Sequence, residues 1–257
     1  MTADGPELVA PPVDGPYGAV FTTRGGGTSR GPYASLNLGG TVDDDPADVA
    51  ANRVRVCATA RIDARRAVAG TQVHGIDVRR VGAADAEGRF LDAATAWPEG
   101  DGLCTDEPGV PLAVFGADCL PILLWRRDRA AVAALHAGWR GLVSGIIDGG
   151  LAALGPPASI GAAIGPGIGP CCYPVSSELR HTFARRFGDG VVAGSAVDLA
   201  AAARTALIGG GVAPSAVWTL EAGTCCDAKR WFSFRRDGAP TGRQAGLIWV
   251  APVPDPG

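Results

Sequence analysis

The 257-residue chain is poor in the residues that most often carry chemistry: three histidines, one methionine, and 6% aromatics. Charge is also sparse, at 19% of residues with a net charge of −3. With no basic excess, a broad nucleic-acid or acidic-membrane surface is excluded as its main device. Gly, Arg or Asp interrupts every apolar run before membrane-spanning length. The opening MTADGPELVAPP lacks a basic segment leading into an apolar one, so no secretory leader is expected and the cytoplasm is the default compartment. The seven cysteines are odd in number, and a chain this long needs no disulfide staples. Their thiols are then free for metal binding or nucleophilic work.

Glycine (38) and proline (20) are abundant, which predicts many turns and short elements. Tyr17 to Thr22 reads as a strand running into a Gly-rich loop. A helix follows, with Asp45 as its cap and Pro46 in its first position. Residues 76–81 read as a strand and 83–102 as a polar connection. The stretch VPLAVFGADCLPILLWRRDRAAVAALHAGWRG reads as two or three strands buried on both faces, with 126–129 as a turn. Leu142, Ile146, Leu151 and Leu154 recur at roughly helical spacing. Two further helices are expected, one capped by Ser176 and ended by Gly188, the other across VDLAAAARTALIGGG. AVWTL, WFSFRR and QAGLIWV read as closing strands. No linker or repeat appears, so 1–257 is expected to be one α+β domain with 1–16 loosely ordered.

Two histidines stand apart from the third. His181 lies among arginines on a helix and reads as a solvated face. His74 (TQVHG) and His136 (LHAGWRG) lie at strand ends beside glycine, where a fold presents side chains to a pocket. Cys119 in GADCLPILL also ends a strand-like run. Together the three form a candidate His2Cys metal site, with a fourth position open to water, phosphate or substrate. Asp118 is the candidate acceptor for an imidazole N–H. A blue-copper site is disfavoured, since Met1 is the only methionine to serve as axial ligand. GPGIG (165–169) does not fit a dinucleotide fingerprint and reads as a structural turn. Arg24, Arg140 and Arg235 are weak candidates for phosphate. The doublets Cys171–Cys172 and Cys225–Cys226 lack CxxC spacing and read as reduced packing cysteines.

FTTRGGGTSRGPYASLNLG, DDDPADVAANR, QVHG, GADCLPILL, HAGWRGL, IGPGIGPCCYPV and RRDGAPTGRQAGLIWV together resemble the multicopper polyphenol oxidase (laccase-domain) family. Its members are also described as purine nucleoside phosphorylases and peptidoglycan editing factors. The resemblance implies a single compact mixed β sandwich flanked by helices. It also implies metal ligation by His74, Cys119 and His136, with zinc as the usual metal and copper also reported. The implied partners are phosphate and a purine nucleoside (adenosine, inosine or methylthioadenosine); the apolar, Gly-rich strands permit a monomer or a homodimer, and no feature specifies which. Adenosine deamination and a link to cell-wall precursor accuracy are implied as well. Two departures from the family pattern are Gly223, where a cysteine is usual, and Ala203 before Arg204. Two competing readings are a copper-dependent phenol oxidase and a metal-free hydrolase with Cys119 as nucleophile and a histidine as base.

Overall fold

The computed structural model describes residues 5–252. In chain order the elements are β1 (Leu8–Val9), β2 (Tyr17–Thr22), α1 (Pro46–Ala60), β3 (Val78–Arg80), α2 (Ala83–Ala86), β4 (Gly102–Thr105) and β5 (Leu112–Gly116). Then come β6 (Leu120–Arg126), β7 (Val132–Ala137), α3 (Trp139–Ser144), α4 (Ile146–Leu154), β8 (Ile160–Ile164) and α5 (Ser177–Phe187). The chain closes with β9 (Val192–Ala193), β10 (Ala196–Val197), α6 (Leu199–Gly209), β11 (Val217–Thr219), α7 (Phe234–Asp237) and β12 (Gln244–Val250).

Two sheets carry the architecture. One has four strands in the order β1-β2-β12-β5, and the other six in the order β11-β8-β6-β7-β4-β3. Pairing is antiparallel except for β11 with β8 and β3 with β4. The uninterrupted apolar run of β6 follows from its place between two cores. Ile122 and Leu124 face the helices α3–α6, while Leu123 and Trp125 face the other sheet. On β12, Ala245 and Leu247 face outward under α1, and Ile248 and Val250 face the inter-sheet core. Helix, sheet, sheet and helix are thus stacked in layers, the expected mixed sandwich with flanking helices.

Local chemistry sets the boundaries. Asp45 accepts from the Ala47 N–H, and Pro46 opens α1 as read from sequence. Ser176 caps α5 through the Leu179 N–H. The 139–154 stretch is two helices, because Gly145 at φ 105° breaks the path between α3 and α4. That left-handed backbone favours glycine.

Two expectations are corrected. Leu8 and Val9, within a segment expected to be loose, pair with Thr22 and Phe21; residues 1–4 lie outside the described residues. WFSFRR is not a strand. Gln244 takes the ladder's place, its side-chain amide accepting from Phe232 N–H and donating to Phe232 C=O. Ser233 then caps the short α7 through the Arg236 N–H. Among the described residues, no helix is long and apolar enough to cross a membrane.

Candidate metal centre

The chain changes sheets between β5 and β6, and only Ala117, Asp118 and Cys119 make the crossing. Asp118 turns it at φ 103°, an uncommon conformation for a residue with a side chain. Two hydrogen bonds of 2.6 Å hold it there, from the Thr224 hydroxyl and from the Arg235 N–H. Cys119 is thereby delivered to the end of the sandwich. His136, near the end of β7, arrives on the neighbouring strand opposite Pro121. His74 comes from the loop before β3, itself at φ 62°.

The three side chains read from sequence meet. Cys119 Sγ lies 3.8 Å from His74 Nε2. The imidazoles stand edge to face, 5.0 Å between centroids. One ligand atom from each lies within 4.8 Å of the others. Gly138 explains the small residues of HAGWRG: a Cβ there would sit 2.7 Å from Cys119 Sγ and 3.2 Å from His74 Cδ2.

The orienting carboxylate is Asp101, not Asp118. Its buried side chain accepts successive N–H groups from Val73, His74 and Gly75 at 3.0, 2.9 and 2.7 Å. It also takes His136 Nδ1 at 2.7 Å, leaving Nε2 for the site. Its own carbonyl accepts the His136 N–H at 2.7 Å. Asp118 instead ties the Cys119 crossing to the Thr224 and Arg235 segments. The signal for Asp101 was a glycine-flanked acid in EGDGL, with no spacing to join it to either histidine.

Burial opposes a thiolate at Cys119, yet hydrogen bonds from His136 and His74 outweigh it and hold the thiol at about 6. Burial likewise opposes the His136 cation, and Asp101 with the Cys119 sulfur raises that imidazole to about 9. Without metal, neutral pH therefore favours a thiolate–imidazolium pair; a cation bound between these donors would take over the proton's role. In chelator-treated protein, alkylation of Cys119 by iodoacetamide, followed by peptide mass, is expected to be half-maximal near pH 6. In His136→Gln the midpoint moves upward, toward the ordinary thiol value of about 8.5.

These residues lie in a cleft of about 920 Å³. Trp97, Phe115, Tyr173 and Phe234 give it aromatic walls, and Arg53, Arg140, Arg235 and Arg243 line it too. Arg140 lies over the Trp139 ring and Arg235 over Tyr173, at 4.5 and 4.8 Å. Arg24 does not line it; its guanidinium bonds the carbonyls of Ala34 and Ala228 and lies over Phe232. Arg243 was missed. It is half-buried beside the centre, anchored by Nη1 on the Thr241 and Gly242 carbonyls. Burial lowers its pKa, while Cys119 and Asp118 pull the other way.

Other sequence features are structural. Buried Asn52 bonds Ser29, Ser35 and Asn37, fixing the Gly-rich loop. Arg53 joins Leu38 to Phe90. The GPGIG turn is bound to its neighbours through Gly165 and Ile168 N–H groups. His181 is exposed on α5. Ala203 is buried in the helix-side core, and Arg204 bonds the carbonyls of Val217 and Pro214. The doublets are reduced as read, and Cys172 and Cys225 pack against the helix-side core, but Cys171 and Cys226 are exposed and do not fit the packing reading.

Residues 18–251 match the family described as multi-copper polyphenol oxidoreductase laccase. The purine nucleoside phosphorylase YlmD of Geobacillus stearothermophilus is 41% identical over 256 residues, covering 93% of this chain and 92% of that protein. A purine nucleoside phosphorylase of Deinococcus radiodurans is 39% identical over 257 residues, covering 96% and 94%. The crystal structure of YlmD from Geobacillus stearothermophilus aligns over 98% of both chains with a TM-score of 0.88 at 36% identity. Sequence and fold agree over nearly the whole length, and the chain belongs to the multi-copper polyphenol oxidoreductase laccase family.

Proposed function

We propose that this protein is a metal-dependent purine nucleoside phosphorylase, with zinc held by His74, Cys119 and His136. The observation that carries the reading is the convergence of these three donors in a cleft lined by aromatic rings and arginines. Two imidazole nitrogens and a thiolate suit zinc, and the Asp101–His136 pair is the usual carboxylate support for a ligating histidine. The same donors also accept copper. When bound, such a cation supplies Lewis-acid stabilisation of negative charge beside the substrate.

The protein's own residues account for the remaining requirements. Trp97 and Phe115 line the cleft as aromatic surface for a purine base, and flanking arginines offer paired N–H donors to phosphate. In phosphorolysis a phosphate oxygen bonds to ribose C1′ while the C1′–N bond breaks and the purine departs with its electron pair. Arg243, in the cleft wall with Cys119 and with only its Nη1 bonded to protein among the described residues, is placed to hold that phosphate, with Arg140 and Arg235 as further candidates.

The test is to measure bound metal and inosine turnover on one purified sample. Phosphate-dependent formation of hypoxanthine and ribose 1-phosphate, with zinc retained on dialysis, is the expected result. Adenosine and methylthioadenosine are expected to react likewise, and adenosine is also assayed for deamination. Inertness toward all nucleosides, with phenol oxidation on copper loading, would overturn the proposal. Arg243→Gln is expected to raise the KM for phosphate about 10-fold or more while kcat changes little, since a charged hydrogen bond contributes about 1.5–3 kcal/mol.

One observation favours a second reading. Cys119, His136 and Asp101 stand in the order nucleophile, base and orienting acid, with the thiol held at about 6. Amide hydrolysis that survives metal removal would support it; complete loss of turnover on chelation supports the metal. His74, a third donor that a nucleophile and base do not require, tips the balance toward metal.

A further inference from the structure

A second cluster of sulfur ligands lies outside the cleft. Cys171 and Cys172 form the turn after β8, and Cys226 lies in the turn before α7. Cys171 Sγ is 3.7 Å from Cys172 Sγ and 2.8 Å from Cys226 Sγ, and the Cys172–Cys226 separation is 3.4 Å. All are free thiols, and Cys171 and Cys226 are exposed. Backbone pairing holds the two segments together, through the Gly167–Gly223 bridge and a 2.9 Å bond from the Thr224 N–H to the Gly167 carbonyl. The sulfurs therefore converge on a frame that does not depend on a bond between them.

We infer that Cys171, Cys172 and Cys226 form a second metal site, distinct from the His2Cys centre, that takes one soft cation, Zn²⁺ or Cu⁺. Three free thiols, two exposed and Cys172 half-buried, each within 4.8 Å of the others, are a thiophilic donor set. Around zinc, with bonds of about 2.3 Å, thiolate sulfurs sit about 3.8 Å apart. The Cys171–Cys172 spacing already matches, and the Cys171–Cys226 contact opens by about 1 Å on binding. On binding, the thiols give their protons to solvent and three sulfur–metal bonds form, with no change of oxidation state.

The site reaches the cleft only indirectly. Cys172 precedes Tyr173 in the cleft wall, and Thr224, two residues before Cys226, grips Asp118. A cation here would pin the two turns that flank Cys119. The inference does not depend on the nucleoside reading, and its test does not use turnover.

The full chain, reduced and stripped of metal, is titrated with Zn²⁺ against a chromophoric chelator, and with Cu⁺ under anaerobic conditions. For at least one ion, wild type is expected to bind two equivalents per chain. Cys119→Ser then retains one, Cys171→Ser/Cys226→Ser retains one, and the triple variant none. In Cys119→Ser, cobalt loading is expected to give thiolate-to-metal charge-transfer absorption that Cys226→Ser removes. Both serines replace exposed side chains, so folding is not at stake, and thermal melting checks it. One equivalent in wild type and none in Cys119→Ser would overturn the inference. So would a Cys171–Cys226 disulfide that forms in air at the same rate with and without zinc.

Discussion

Cys119→Ser is expected to lower kcat/KM for inosine phosphorolysis by at least about 10³-fold, a loss of about 4 kcal/mol in transition-state stabilisation. It is also expected to empty the His2Cys centre, with the melting temperature nearly unchanged when both proteins are compared metal-free. A serine hydroxyl has nearly the volume of the thiol but does not ionise at neutral pH. The position sits at a turn, not in a packed core, so little contact is lost. Two imidazoles alone make a weak zinc site, and the anion that balances the cation is gone. His136→Ala should abolish turnover as well, but it confounds the result. It strips Asp101 of its ring partner and leaves a buried carboxylate less well paired. Turnover near wild type in Cys119→Ser with no bound metal would remove the metal from the mechanism.

The parts of this site that were legible in sequence are those whose chemistry is rare. With three histidines in the chain, two of them beside glycine at strand ends, inventory alone could join His74 and His136 to Cys119. The sandwich was legible for a related reason. β6 and β7 are apolar at nearly every position because both faces are buried, and alternation between two cores leaves that pattern. Support residues leave no such trace. Asp101 is one of many acids, and its neighbours Val73–Gly75 are 26 or more residues away along the chain. Asp118, adjacent to Cys119, was the natural choice for the imidazole, but its φ of 103° turns it toward Thr224 and Arg235. WFSFRR failed similarly: its alternation is strand-like, but the partner strand is replaced by one glutamine side chain. The arginines were the least legible. Arg24 and Arg243 lie in similar Gly-rich contexts, and only tertiary packing sends one to backbone carbonyls and the other to the cleft.

Asp101→Ala is expected to be among the most destabilising substitutions outside the hydrophobic core, by about 3–5 kcal/mol. Three backbone N–H groups and the His136 ring would lose their acceptor at once in a site with no exposed side-chain surface at Asp101. For a chain of this size that corresponds to a fall in melting temperature on the order of 10 °C. Asp101→Asn separates stability from ligand positioning. Its one remaining carbonyl oxygen still accepts, but its NH2 faces an N–H donor, and the His136 ring loses its anionic partner. Metal affinity should fall about 10–100-fold with a smaller loss of stability. Acid titration gives an independent readout. Burial would raise the Asp101 pKa, but hydrogen bonds from His136 and from the Gly75 and Val73 N–H groups lower it. A depressed carboxylate contributes stability above its unfolded value, and that contribution is lost as pH falls through the folded one. Wild type should therefore lose stability more steeply than Asp101→Asn on acidification, measured by urea midpoints on metal-free protein. Equal slopes would mean that Asp101 is not held as an anion, and the orientation of His136 would need another cause.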